Sequence, residues 1–150
     1  MISRNLVQDI EDHSESITAR IVRKLRDDTL LPQMRTLPES ELADRVQEVV
    51  KNLDHWLVPG QESEIARRYE ALGRRRYEES IPLEEVVRAL HIIKNGILAH
   101  VHEQGFGQTA MELYAEQQLE LRVGRFFDTA VYHVVCGYQA ASSRAAHVLR

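Results

Sequence analysis

The sequence predicts an all-α fold, a five-helix bundle with a long C-terminal helix, and three observations carry that reading. Apolar residues recur at three- and four-residue steps along nearly the whole chain, and strict apolar–polar alternation is almost absent. Pro32, Pro38, Pro59 and Pro82 fall between these periodic stretches or at their starts. After Pro82 no proline follows, so the last 40 or so residues can run as one helix. A chain of 150 residues, 43% hydrophobic and 28% charged, is long enough for one domain with its own core, neither disordered nor membrane-embedded.

The first helix carries the stripe Leu6, Ile10, Ile17, Ile21 and Leu25, with His13 at the step between Ile10 and Ile17, and runs to Leu31-Pro32. The second opens at Leu37-Pro38-Glu39-Ser40-Glu41, where proline and carboxylates suit a first turn. Its stripe is Leu42, Val46, Val49, Val50, Leu53, Trp56 and Leu57, and Pro59-Gly60 ends it. A third helix carries Ile65, Tyr69 and Leu72 and stops near Ser80. The fourth starts at Pro82 and ends near Gly105-Phe106-Gly107. Its face of Leu83, Val86, Val87, Leu90, Ile93, Ile97 and Val101, widened by Ile92 and Leu98, marks it as the central helix. The fifth begins with the capping-box pattern Thr109-Ala110-Met111-Glu112.

Within that fifth helix Phe127, Val131, Val134, Tyr138, Ala141, Ala145 and Val148 step alternately by four and three, a heptad register. A helix this long exceeds the width of a compact bundle, so Gly124 or Gly137 kinks it or residues 138–150 project. A projecting heptad helix needs a partner, and a second copy is the simplest one. The predicted dimer interface is Phe127, Val131, Val134, Tyr138, Ala141 and Ala145.

Candidate chemistry is sparse. Among seven histidines, His100 and His102 point to opposite helix sides, and His133 with Cys136 makes an incomplete zinc site, so no metal and no cofactor are expected. Phosphate loops and nucleophile elbows are missing, and the chain is read as non-enzymatic. His91 with Lys94 resembles the phosphoacceptor segment of histidine phosphotransfer domains, but Gly96 comes one position late, about 100° away on the helix. Arg76 and Lys94 are cations on apolar stripes, and the fifth helix offers Glu116 and Glu120, one turn before its apolar stripe and aligned with it. Two readings stay open: an internal ion-pair layer, or a pocket in which Arg76, Lys94, His91, Glu116 and Glu120 surround a small anionic ligand. Arg67, Arg68, Arg74, Arg75, Arg76 and Arg88 are interleaved with glutamates. With a net charge of −4, that argues for a salt-bridged face and against nucleic acid. The single cysteine, the lack of a signal-peptide core in residues 1–30 and of any spanning run point to a cytoplasmic protein without a membrane partner.

The segments Gly73-Arg74-Arg75-Arg76, Ile81-Pro82-Leu83-Glu84-Glu85-Val86-Val87-Arg88-Ala89-Leu90, Phe126-Phe127-Asp128-Thr129-Ala130-Val131-Tyr132 and Gly137-Tyr138 resemble the RsbRD N-terminal domain family. Leu37-Pro38 leading to Trp56-Leu57 fits the same pattern, and the likeness spans about residues 8–140. The resemblance implies an all-helical input module of bacterial signalling. Such modules head sensor histidine kinases and co-antagonists of a stress pathway that controls a sigma factor. It supplies no active site to carry over. The sequence departs from the pattern at Ser80, where glycine is common before the Ile-Pro pair. With no output domain following residue 150, the chain reads either as the sensor of a longer protein or as a free-standing regulator. The expectation is a dimeric sensory domain that relays a ligand or partner signal through its C-terminal helix to an output partner.

Overall fold

The computed structural model describes residues 4–104 and 108–148. Its described residues form seven α-helices and one 3₁₀ turn, without strands. In order these are α1 (Arg4–Asp12), α2 (Ser14–Asp27), the 3₁₀ turn Met34–Thr36, α3 (Glu39–Lys51), α4 (Leu53–Leu57), α5 (Glu62–Glu78), α6 (Leu83–Glu103) and α7 (Ala110–Val148). The all-α class and the long C-terminal helix are as the periodicity predicts. The five predicted helical stretches become seven helices because two of them are broken, each at a polar residue that competes for backbone bonds.

The first break is at His13, whose Nδ1 lies 2.8 Å from the Asp9 carbonyl while its backbone turns to φ −102°, ψ 19°. The apolar stripe continues across the break, with Ile10, Ile17, Ile21 and Leu25 all in the core, but His13 itself is exposed. The second break is at Asn52, whose Nδ2 donates to the Glu48 carbonyl at 3.0 Å. Trp56 Nε1 donates to the same carbonyl at 3.2 Å, which turns the short α4 under α3. Leu42, Val46, Val49, Val50, Leu53 and Trp56 are buried on both sides of this break.

Between α2 and α3 the chain is tied down by Glu85, a buried acid in the first turn of α6. Its Oε1 accepts the Gln33 and Met34 N–H groups, both at 3.0 Å, and so closes the 3₁₀ turn. α6 touches α1, α2, α5 and α7, in keeping with a wide apolar face. The predicted end of this helix at Gly105-Phe106-Gly107 lies outside the described residues. Thr109 caps α7 as the sequence predicts, Glu112 N–H donating to Thr109 Oγ1 at 3.1 Å, while the returning Glu112 Oε2 accepts the N–H of Gln108, one residue before the cap, at 3.0 Å. α7 then runs unbroken through Gly124 and Gly137 for 39 residues, about 58 Å. Among the described residues, no helix is long and apolar enough to cross a membrane.

Candidate functional site

The most extensive contact in the molecule is between α5 and α7, and two glycines permit it. A Cβ on Gly73 would lie 2.1 Å from the Val134 carbonyl oxygen, and one on Gly137 would lie 2.1 Å from that of Glu70. Each glycine therefore receives the other helix's backbone, and no side chain fits at either position. Just beyond the crossing, the Tyr138 hydroxyl donates to the Ile81 carbonyl at 2.7 Å, and its ring meets Tyr77 edge-on at 5.4 Å. Towards the other end, Phe126 touches Trp56, Tyr69 and Phe127, with ring centroids 5.0–5.9 Å apart. Burial of the Tyr69 hydroxyl pushes its pKa upward, so it stays protonated.

The heptad residues of α7 are distributed differently from the sequence expectation. Phe127, Val134 and Ala141 are buried inside the chain's own core, and Val131, Tyr138 and Ala145 are partly covered. In this packing the set serves α7's seat on its own bundle, because its centre faces α5 across the glycine pair. A second face lies on the opposite side of the helix. Met111, Tyr114, Leu121 and Tyr132 are 84%, 59%, 54% and 64% exposed. With Gln118, Arg125 and Asp128 they step by three and four, half a turn away from the buried stripe of Leu119, Val123, Phe126, Ala130, Val134 and Gly137. Sequence periodicity missed this face because its charged and amide positions interrupt the apolar pattern.

Arg76, Lys94, His91, Glu116 and Glu120 do not converge. Arg76 is buried, and its Nη1 donates to Glu41 Oε1 at 3.0 Å and Glu79 Oε1 at 2.7 Å. Arg75 reaches the same Glu41 oxygen at 2.8 Å, so two arginines and two glutamates close an ion-pair layer between α3 and α5. That layer's acids are Glu41 of α3 and Glu79, the residue that caps α5, and neither comes from α7. Glu120 sits 3.2 Å from His102, Lys94 and Glu116 are partly buried, and His91 is exposed. Gly96 is engaged elsewhere: a Cβ there would lie 2.4 Å from Ile21 Cγ1, so it serves the crossing of α2 and α6 and not an approach to His91. The rest of the basic cluster is likewise paired in part, Arg68 with Glu48 and Glu64, Arg88 with Asp28.

Two hollows adjoin these elements. A narrow apolar cavity of about 50 Å³ lies between α2, α3, α5 and α6, with Leu42, Val46, Leu72, Leu90 and Ile93 in its wall beside Arg76. A wider groove of about 290 Å³ runs between α7 and the Pro59-Gly60 turn, lined by Trp56, Ile65, Phe126, Arg122 and Arg125. Neither Arg122 nor Arg125 forms an ion pair among the described residues. Elsewhere the fold gathers Asp9, His13 and His100, a grouping invisible in the sequence because His100 joins from a helix 87 residues further along. His133, paired in the sequence reading with Cys136, turns to Glu70 at 2.9 Å.

No curated protein and no solved structure matches the chain. The family model for the RsbT co-antagonist protein rsbRD N-terminal domain matches residues 15–150, which include α5, α6 and α7 and both glycines of the crossing. With nearly the whole chain covered, the protein belongs to the family of RsbT co-antagonist protein rsbRD N-terminal domains, regulatory domains of stress signalling.

Proposed function

We propose that the domain is a dimeric relay that performs no chemistry of its own. Two copies pair through α7, and a ligand or partner that alters how α7 sits on α5 passes the change along α7 to an output partner. The observation that carries this reading is the two-faced α7. One face is clamped to α5 by Gly73 and Gly137, and the opposite face presents Met111, Tyr114, Leu121 and Tyr132 in heptad steps. Arg125 and Asp128 share that face, so an antiparallel second copy can set each against its opposite charge.

A signal can enter at the Arg122–Arg125 groove, which suits a small anion better than Arg76, whose charge Glu41 and Glu79 already balance. Arg125 borders both groove and stripe, so an anion bound there changes the charge at the paired face. The coupling is then a difference in affinity between two packings of the dimer. Beyond Ala141, Ser142 to Arg144 and Ala146 to Val148 are exposed, leaving the end of α7 free to meet an output partner.

The test is light scattering after size-exclusion chromatography, on the whole chain and on a Leu121→Glu, Tyr132→Glu double variant. Truncation is unsuitable because Val134 and Ala141 belong to the core. The wild type is expected to be a dimer, and the double variant a folded monomer, its association weakened by roughly 3 kcal/mol or more. A monomeric wild type, or a variant that dimerises unchanged, rejects the reading.

A further inference from the structure

The geometry points to a transition-metal site formed by Asp9, His13 and His100, with zinc as the best-suited ion. It goes beyond the relay reading and does not depend on it. One ligating atom from each residue lies within 4.8 Å of the other two. Asp9 is the hub: its Oδ2 is 2.9 Å from His100 Nε2, and its Oδ1 is 3.3 Å from His13 Nδ1. The imidazole rings stand 5.3 Å apart, centre to centre. Ligand atoms on a tetrahedral zinc, with bonds of about 2.0–2.1 Å, sit about 3.3 Å from one another. Two of the three separations are therefore close to what zinc needs; binding would exchange the 2.8 Å hydrogen bond of His13 Nδ1 to the Asp9 carbonyl for the metal and turn the exposed ring to close the third.

The donor chemistry also fits. Two imidazoles and one carboxylate form a borderline set that suits zinc, cobalt or nickel and is a poor match for calcium or magnesium. His100 is buried at 5% exposure and Asp9 is partly covered, so two ligands are held by packing. His13 is half-exposed, which leaves an entry path and an open coordination position for water. One turn beyond His100, Glu103 is gripped by both terminal nitrogens of Arg20, at 2.7 and 2.8 Å. That contact fixes the end of α6 against α2. His13 stands one turn beyond Asp9 on the same helix face, as residues four apart do, and at the break between α1 and α2 its ring lies 5.3 Å from that of His100. A bound ion would link the end of α1, the break and the end of α6.

The whole chain, freed of metal with a chelator, is titrated with zinc by calorimetry and with cobalt by visible absorption. Expected are one ion per chain, a cobalt spectrum of four- or five-coordinate intensity, and a zinc-dependent rise in the melting temperature. His13→Ala and Asp9→Asn each alter a side chain that is not fully buried, and circular dichroism checks that both variants fold. Each is expected to weaken zinc binding more than about tenfold, the loss that even an outer-shell partner can produce. Failure of the wild type to bind zinc, an octahedral cobalt spectrum, or wild-type affinity in either variant overturns the assignment. The cobalt spectrum judges the site even if a variant does not fold.

Discussion

Ser80 ends α5 in the left-handed region, with φ 62°. Its N–H donates to the Tyr77 carbonyl at 3.0 Å, and the Ile81 N–H reaches back to Arg76 at 3.0 Å, which is the bond pattern of a Schellman cap. The buried Ile81 supplies the apolar contact that usually accompanies it. A glycine commonly precedes the Ile-Pro pair in the family, and this is the physical reason: the position requires positive φ. Ser80→Gly should therefore stabilise the fold by about 1 kcal/mol, seen as a higher urea midpoint with an unchanged slope. Relief of the Cβ penalty outweighs the extra freedom that glycine has when unfolded. At Ser80 the sequence shows a departure from pattern, and only the backbone angle says what the departure costs.

Between elements, the α5–α7 crossing makes the sharpest demand. Gly73→Ala or Gly137→Ala should each destabilise the protein by at least about 2 kcal/mol, because backbone cannot yield as a flexible side chain does. Chemical denaturation measures this, and an alanine variant as stable as wild type would contradict the packing. Both glycines lie in the segments through which the sequence resembles its family, yet within its helix Gly137 reads only as a kink candidate and Gly73 carries no signal of its own. They turn out to be contact surfaces: α5 is continuous through Gly73 and α7 through Gly137, and each glycine receives the other helix's backbone. The breaks at His13 and Asn52 were hidden for a related reason. An apolar stripe can continue across a short bend, so periodicity reports which residues are buried and not whether the helix is one piece.

At the scale of the whole molecule, exposed ion pairs join segments distant in sequence, and they set the response to acid. Arg88 and the Leu30 N–H hold the Asp28 carboxyl below its ordinary 3.8, His55 does so for Glu64, and Arg20 for Glu103. A carboxyl whose pKa is lowered by folding binds fewer protons in the folded state than in the unfolded one. Its stabilising effect is thus complete above the unfolded value and is lost as pH falls through the folded one. The melting temperature should stay level above the ordinary carboxylate range and drop below it. Asp28→Asn should make that drop shallower, as a melting series across acidic pH will show; an unchanged slope would mean that this pair contributes nothing.

The sequence by itself determined the helical class, the buried stripe of nearly every element and the Thr109 cap, because each follows from local spacing along one helix, and it carries the motifs through which it resembles its family. Tertiary structure decided which face of α7 is spent on the core, which acids neutralise Arg76, and that Asp9 and His13 meet His100. Those outcomes depend on the angle and approach of helices far apart in the chain. Spacing within one helix places Arg76 on the apolar stripe of α5, but it cannot select Glu41 on α3 over Glu116 or Glu120 on α7. That choice was made where Gly73 and Gly137 let two backbones touch and brought α5 against α7 with Arg76 turned towards α3.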